Sequence, residues 1–281
     1  MKEGRRLKSI DPMNAVSVYI MPTRVGASNQ FRESLDIELT EKYIREKRQE
    51  GHKGLGMMHV ILAAYVRTIS QYPSINRFIR GQRVYARNSI DMCLTIKKEL
   101  KLHAPETVVK IPATPGDTLI DVYKNITTLV NDNKKEETEN DMDFLVKLMA
   151  FIPGLFLKFA VWCLKTMDYF GILPKSLIKL SPFHGSMFLT NMGSLGINPI
   201  FHHLYNFGNL PLFCAMGKKK NEYQLNPDGT VKKMRIMDMT VVCDERICDG
   251  HYYASAFKAW KKYIENPYLL DVPPEEIHED V

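Results

Sequence analysis

Val241-Val-Cys-Asp-Glu-Arg-Ile-Cys-Asp-Gly-His-Tyr-Tyr-Ala254 is the stretch whose reading decides the fold. Its apolar, β-branched start suits a strand that ends at Cys243. Asp249-Gly250 supplies turn chemistry. Beyond it, Tyr253, Phe257, Trp260 and Ile264 fall at i, i+4, i+7 and i+11, which makes one continuous apolar helix face, and Asn266-Pro267 stops the run. The expectation is therefore a strand, a polar turn and a core helix in direct succession.

Upstream, Lys232–Cys243 completes that strand. Asn226-Pro227-Asp228-Gly229 is a strong turn signal, separating it from short strands at Leu212–Met216 and Gln224–Leu225. A further strand is expected at Ser186–Asn191. Earlier in the chain, Val16–Ile20 and Phe31–Leu39 suit strands, and Thr40 suits the N-cap of a helix to about Lys47. Residues 57–72 place Val60, Ile61, Ala64, Ile69 and Tyr72 near helical spacing, and Tyr72-Pro73 ends that core helix. Arg83–Lys97 reads as a hairpin turning at Arg87-Asn88-Ser89. Leu119, Val122, Ile126 and Val130 define a helix over about 117–130, followed by a charged linker over 131–141. Strands and helices mix without a repeat, so the class is α+β, an α/β sandwich.

The chain has 281 residues, 45% hydrophobic and 25% charged, enough for one large core and incompatible with wholesale disorder. A net charge of +6 without a long polybasic block gives no basis for nucleic-acid binding; Gly217-Lys218-Lys219-Lys220 and Lys232-Lys233 read as solvated segments. Five scattered cysteines do not make a disulfide framework and favour a reducing compartment. The charged start, Met-Lys-Glu-Gly-Arg-Arg-Leu-Lys, has no apolar core behind it, so no signal peptide is expected and the location is expected to be cytoplasmic. Cys243, Cys248 and His251 have a spacing reminiscent of a zinc site, but Cys243 belongs on the strand, and no metal is expected.

Five segments in register carry a family resemblance. Asp244, Arg246, Asp249 and Gly250 occupy the frame in which the chloramphenicol acetyltransferase and dihydrolipoamide acyltransferase superfamily has His-x-x-x-Asp-Gly, with Glu245 at the histidine position. Met187-Phe-Leu-Thr-Asn-Met-Gly193 resembles the family's Phe-Thr-Ile-Ser-Asn-Leu-Gly segment. Residues 56–79 resemble the helix that ends in Pro-x-Val-Asn, and Phe31–Thr40 the early strand and following helix start. Glu265-Asn266-Pro267 is similar to the closing helix end. Together the likeness spans about residues 15–130 and 183–268. It implies a mixed, largely antiparallel sheet flanked by helices, forming a single catalytic-type domain over 1–281. It also implies a homotrimer with sites between subunits, and a coenzyme A thioester as co-substrate for a small-molecule acceptor. No lipoyl domain or linker is recognisable, so a stand-alone member is expected.

The resemblance implies site roles as well. Thr190 falls on the hydroxyl that supports the oxyanion, Asp249 on the residue that holds the active-site loop through an arginine, and Asn191, Gly193 and Gly250 on the cofactor-binding frame. Neither Arg24 nor Arg32 is clearly in register as the partner of Asp249. In the family reaction histidine takes a proton from a thiol or hydroxyl. A carboxylate is a weaker base towards a thiol by about 2 pKa units, roughly 3 kcal/mol of driving force, which burial in an apolar channel can recover. Glu245 is thus a candidate base, and His251 can supply an imidazole or simply occupy the first helical turn. His184, His202 and His203 read as core or loop residues. The function implied is acyl transfer from a thioester to a thiol, hydroxyl or amine; the alternative is a non-catalytic relative serving as scaffold or acyl-ligand-binding protein.

Residues 144–174, the most hydrophobic stretch of the chain, have no obvious family counterpart, and an apolar amphipathic helical insertion is expected over 142–180. The longest charge-free run, Leu148–Leu157, contains Pro153-Gly154 and is about half of what a membrane crossing needs. Lys147, Lys158 and Lys165 are 11 and 7 residues apart, a spacing that puts them on one helical face, although Pro153 interrupts the first interval. An amphipathic helix over about Leu155–Phe170 is expected. It is suited to packing on the core or a subunit, to an acyl channel, or to peripheral contact with a membrane.

Overall fold

The computed structural model describes residues 3–97, 106–135 and 151–280. The main sheet has six strands: β2 (Ser28–Asp36), β5 (Ile90–Lys97), β6 (Glu106–Ala113), β7 (Met187–Asn191), β8 (Leu212–Leu225) and β9 (Val231–Asp244). Their order is β2-β9-β8-β7-β5-β6, with β7 parallel to both neighbours and the other pairs antiparallel. A small antiparallel sheet joins β1 (Gly4–Arg6), β4 (Arg83–Arg87) and β3 (Phe78–Arg80).

Strand alternation divides the sheet into two faces. Leu189, Cys214, Met239, Val241 and Cys243 enter the large core with helices α3 (Met57–Gln71) and α7 (Gly250–Glu265), whereas Phe188, Phe213 and Val242 turn to a small second core. The indole N–H of Trp260 donates to Ile61 O at 3.1 Å, fastening α7 to α3 inside the large core. Helix α4 (Leu119–Lys135) packs alongside α3. The second core is closed by the segment between β7 and β8, through Leu204, Leu210 and Tyr205.

Several expectations need correction. Val16–Ile20 is helical: α1 spans Pro12–Ile20, with the Asp11 carboxylate accepting from Met13 N at 2.8 Å and Pro12 pre-set for the first turn. The cap outweighs the strand preference of the β-branched residues. Helix α2 (Glu38–Gln49) starts before Thr40, whose hydroxyl instead donates to Ile264 O at 2.7 Å and pins α2 to α7. Strands exist on both sides of Asn88-Ser89 but do not pair: β4 is filled on both edges by β1 and β3, and β5 by β6 and β7, so no free edge is left for a hairpin. The two strands read over 212–225 are one, with an irregularity between Met216 and Lys219. There the backbone of Gly217 lies so close to Pro199 that a Cβ would fall 2.4 Å from its Cδ. Helix α4 continues into the segment read as a linker, and 136–141 lie outside the described residues.

Of the insertion, 142–150 lie outside the described residues. The remainder forms the expected amphipathic helix, α5 (Gly154–Phe170), ended by Gly171 at φ 70°, and a short α6 (Lys175–Leu180). Among the described residues no helix is long and apolar enough to cross a membrane.

Candidate active site

The turn after β9 is built from buried charge. Arg246 grips Asp244 with two parallel bonds, Nε to Oδ1 and Nη2 to Oδ2, both 2.7 Å, and the two side chains are 3% and 1% exposed. Arg24 adds a second guanidinium, its Nε 3.5 Å from Asp244 Oδ2, while its other nitrogens donate to Tyr205 O at 2.6 Å and Gly208 O at 2.7 Å. Arg246 also donates to Met21 O at 2.9 Å, and the Tyr253 hydroxyl donates to Asp244 O at 2.8 Å. Ionic groups this deep hold only when the geometry and the remaining hydrogen bonds are good; the bidentate Arg246–Asp244 pair meets that condition, while Arg24 Nε has no hydrogen bond among the described residues.

Glu245 rides on this base. Its backbone N–H donates to Ala27 O at 2.8 Å, which docks the turn onto the start of β2, and its side chain is exposed. Apolar cover for that carboxylate is therefore not supplied by the described residues of its own chain. Arg77 supports the turn from the other side, donating to Ile247 O at 3.3 Å while also gripping the Asp280 carboxylate.

Asp249 does not take the arginine that the resemblance implies. Its carboxylate accepts from Tyr252 N at 2.9 Å and caps α7, the ordinary work of an aspartate at a helix start. The loop-holding role falls to Asp244, and Arg24, one of the two arginines considered, is its partner. The other, Arg32, bonds Asp238 at 2.7 Å on the strand surface. His251 is exposed in the first turn of α7, and Gly250 begins that helix. Cys243 and Cys248 are core side chains; burial pushes the Cys243 thiol up to about 12 and Cys248 upward as well, so both stay protonated at neutral pH.

Thr190 stands at the far end of β7, half-buried on the face of Phe188, with its hydroxyl 3.7 Å from Met192 Sδ. Asn191 caps the following turn by accepting from Ser194 N at 3.0 Å. Gly193 passes so close to Gly217 that a Cβ there would lie 2.4 Å from its carbonyl oxygen. Asn191 and Gly193 line a cleft of about 530 Å³ with Met57, His59, Met216 and Lys218; Gly250 does not belong to it. His184 is a satisfied core residue, bonded to Ser181 at 2.8 Å and Asp168 at 3.2 Å. His202 stacks on Phe213 with centroids 4.0 Å apart.

The register measures how far apart the two key residues are. Thr190 is level with Ala215, and Ala215 with Thr240, so Glu245 lies five residues further along β9 and two strands across. At about 3.3 Å per residue and 4.8 Å per strand the separation is roughly 15–20 Å. One chain does not bring Thr190 and Glu245 to one substrate.

A mixed sheet with a helical layer over one face and an ion-paired turn running from strand into helix is the chloramphenicol acetyltransferase-like fold. Residues 175–272 match the family described as 2-oxoacid dehydrogenases acyltransferase (catalytic domain). Over 86 residues the chain is 30% identical to the lipoamide acyltransferase component of the branched-chain alpha-keto acid dehydrogenase complex of Arabidopsis thaliana. Over 88 residues it is 32% identical to the dihydrolipoyllysine-residue acetyltransferase component of the pyruvate dehydrogenase complex of Dictyostelium discoideum. Each match covers 31% of this chain but only 17% and 14% of those relatives.

Solved structures extend the likeness to the whole chain as one of fold. The dihydrolipoamide acetyltransferase of Azotobacter vinelandii superposes with a TM-score of 0.60 at 10% identity, covering 94% of this chain and 93% of that one. A probable dihydrolipoamide acetyltransferase of Listeria monocytogenes gives 0.59 at 12%, covering 94% and 95%. A chloramphenicol acetyltransferase gives 0.53 at 13%, covering 95% and 99%. The matched family and both relatives are acyltransferases.

Proposed function

We propose that this protein transfers an acyl group from a thioester of the coenzyme A type to a small thiol, hydroxyl or amine acceptor, at a site shared between copies in a homotrimer. The observation that carries this reading is the placement of Thr190 and Glu245. Both stand at strand ends in the acyltransferase frame, Glu245 is exposed on a turn clamped by buried ion pairs, and one chain leaves the two residues roughly 15–20 Å apart. A neighbouring copy would supply the missing half and exclude water from the carboxylate. In the Azotobacter vinelandii enzyme a serine, a histidine and an asparagine have roles in the catalytic mechanism, the asparagine four positions after the histidine. Glu245 and Asp249 have the same spacing here.

In the proposed reaction the Glu245 carboxylate accepts the acceptor's proton as the nucleophile attacks the thioester carbonyl. The Thr190 hydroxyl donates to the oxyanion of the tetrahedral intermediate, and collapse breaks the carbon–sulfur bond. The thiolate leaves with the proton that Glu245 returns. Support for a coenzyme A donor comes from the cleft beside Asn191, where Lys218 and the start of α3 offer positive charge to phosphate.

The test follows the acylated acceptor and released coenzyme A, separated by chromatography, from short- and long-chain acyl-coenzyme A with a thiol acceptor. Glu245→Gln and Thr190→Val should each lower kcat by about 100-fold, the usual size of a lost base or oxyanion donor. The exposed glutamate at the base position favours one second reading, a non-catalytic acyl-ligand-binding relative. That reading expects thermal stabilisation by acyl-coenzyme A without turnover, and activity only after Glu245→His. Wild-type turnover abolished by Glu245→Gln would end it.

A further inference from the structure

The helix α5 is held down by one polar residue and turns its apolar side outward. Asp168, 8% exposed, accepts from Gly208 N at 3.2 Å and meets His184 Nε2 at 3.2 Å and Arg80 Nε at 3.7 Å. Tyr169 adds a bond from its hydroxyl to Gln82 at 3.0 Å. Fixed at that end, the helix exposes Leu155 (78%), Phe159 (63%) and Trp162 (58%), with Phe156 and Phe170 widening the strip. At about 100° per residue these side chains cover an arc of roughly 120°, broader than the seam of a two-helix contact. Lys158 and Lys165 border it.

Charge identifies what covers this face. Between residues 151 and 180 the only acid is Asp168, which is buried, while Lys158, Lys165, Lys175 and Lys179 are the only basic residues. A contact of this face with the same face of a second copy would set lysines against lysines, with no exposed acid on the helix to meet them. A cleft of about 690 Å³ adjoins the C-terminal end of the helix, where Arg83, Tyr85 and Lys175 stand beside Phe170 and the acid in its lining, Glu3, is paired with Arg80. Apolar and aromatic residues on one side of a helix, flanked by lysines with no acid among them, match the surface of an anionic bilayer, into which such a helix sinks in-plane.

We propose that the outward face of Gly154–Phe170 docks this protein onto anionic phospholipid membranes as a peripheral, in-plane contact. The inference is independent of the acyl-transfer reading. Trp162 reports on it directly, because the other tryptophan, Trp260, is fully buried. The full chain is mixed with phosphatidylcholine vesicles, with and without phosphatidylserine. Co-sedimentation and a blue shift of Trp162 emission are expected only with the anionic lipid, and both should weaken at high salt. Lys158→Gln/Lys165→Gln should bind about 30-fold more weakly, corresponding to about 1 kcal/mol per lysine near the surface. Phe159→Ser, at an exposed position, should reduce binding while leaving the circular dichroism unchanged. Absence of binding to anionic vesicles would overturn the proposal, as would binding indifferent to both variants. A solution mass that falls in Phe159→Ser, together with a Trp162 shielded from aqueous quencher in the vesicle-free protein, would assign the face to a second copy and overturn it equally.

Discussion

Asp244 and Arg246 are nearly sealed from water, so their pairing is a condition of the turn's existence. Arg246→Ala would leave the carboxylate buried with the backbone N–H of position 246 at 3.2 Å and the 3.5 Å contact to Arg24, and without its bidentate guanidinium. The expected loss is about 3 kcal/mol, because removing one partner strands the other charge in low dielectric. Urea unfolding measures it, and an unchanged midpoint would refute this account of the turn. Tyr253→Phe removes one neutral hydrogen bond, to Asp244 O, and should cost only about 1 kcal/mol in the same assay. The position of Glu245 was readable in the sequence, because the Asp-x-Arg-x-x-Asp-Gly frame surrounds it. The arginine's true partner was not. Two aspartates stand in one short turn, and only the three-dimensional docking of the segment containing Arg24 decides that Asp244 takes the guanidinium while Asp249 caps a helix.

At the level of elements, the start of α3 couples folding to pH. His59 is 7% exposed, and its Nδ1 accepts the Gly56 N–H at 3.1 Å, a bond that protonation destroys. Burial pulls its pKa down to about 4. The folded state thus binds the proton less readily than the unfolded chain, for which an ordinary histidine titrates near 6.5. The stabilisation is complete above about 6.5 and is lost as pH falls towards 4, by on the order of 3 kcal/mol. His184, also pulled down by burial, acts in the same direction. His59→Gln should flatten part of the decline in thermal midpoint between pH 7 and pH 4, and a decline identical to wild type would dismiss His59 as its cause. The helix itself was legible from its periodicity, as were α5 and α7. What failed were elements decided by competition: a cap that made α1 helical against its β-branched residues, and strands β4 and β5, whose edges were already taken by other partners. Local pattern shows that a strand exists, but not which strand lies beside it.

For the whole molecule, the proposed reaction needs one half-site from each end of the sheet. The sequence shows Thr190 and Glu245 in familiar frames, but nothing in it says that they lie at opposite ends of two strands separated by β8; that follows only from the register through Ala215 and Thr240. If copies associate so that the Thr190 end of one faces the Glu245 end of the next, two defective chains can repair each other. Co-expression of Thr190→Val chains with Glu245→Gln chains, under different affinity tags, yields mixed oligomers after tandem purification. Each shared site draws its threonine from one chain and its glutamate from the next, so in a mixed trimer about one of the three sites is intact. Activity near a third of wild type is expected from the purified mixed trimers, against about 1% from either variant alone. A site contained within one chain would show no such recovery, since every copy carries one lesion. Light scattering on the same preparation should give three times the monomer mass, and a stable monomer with full activity would contradict the shared site directly.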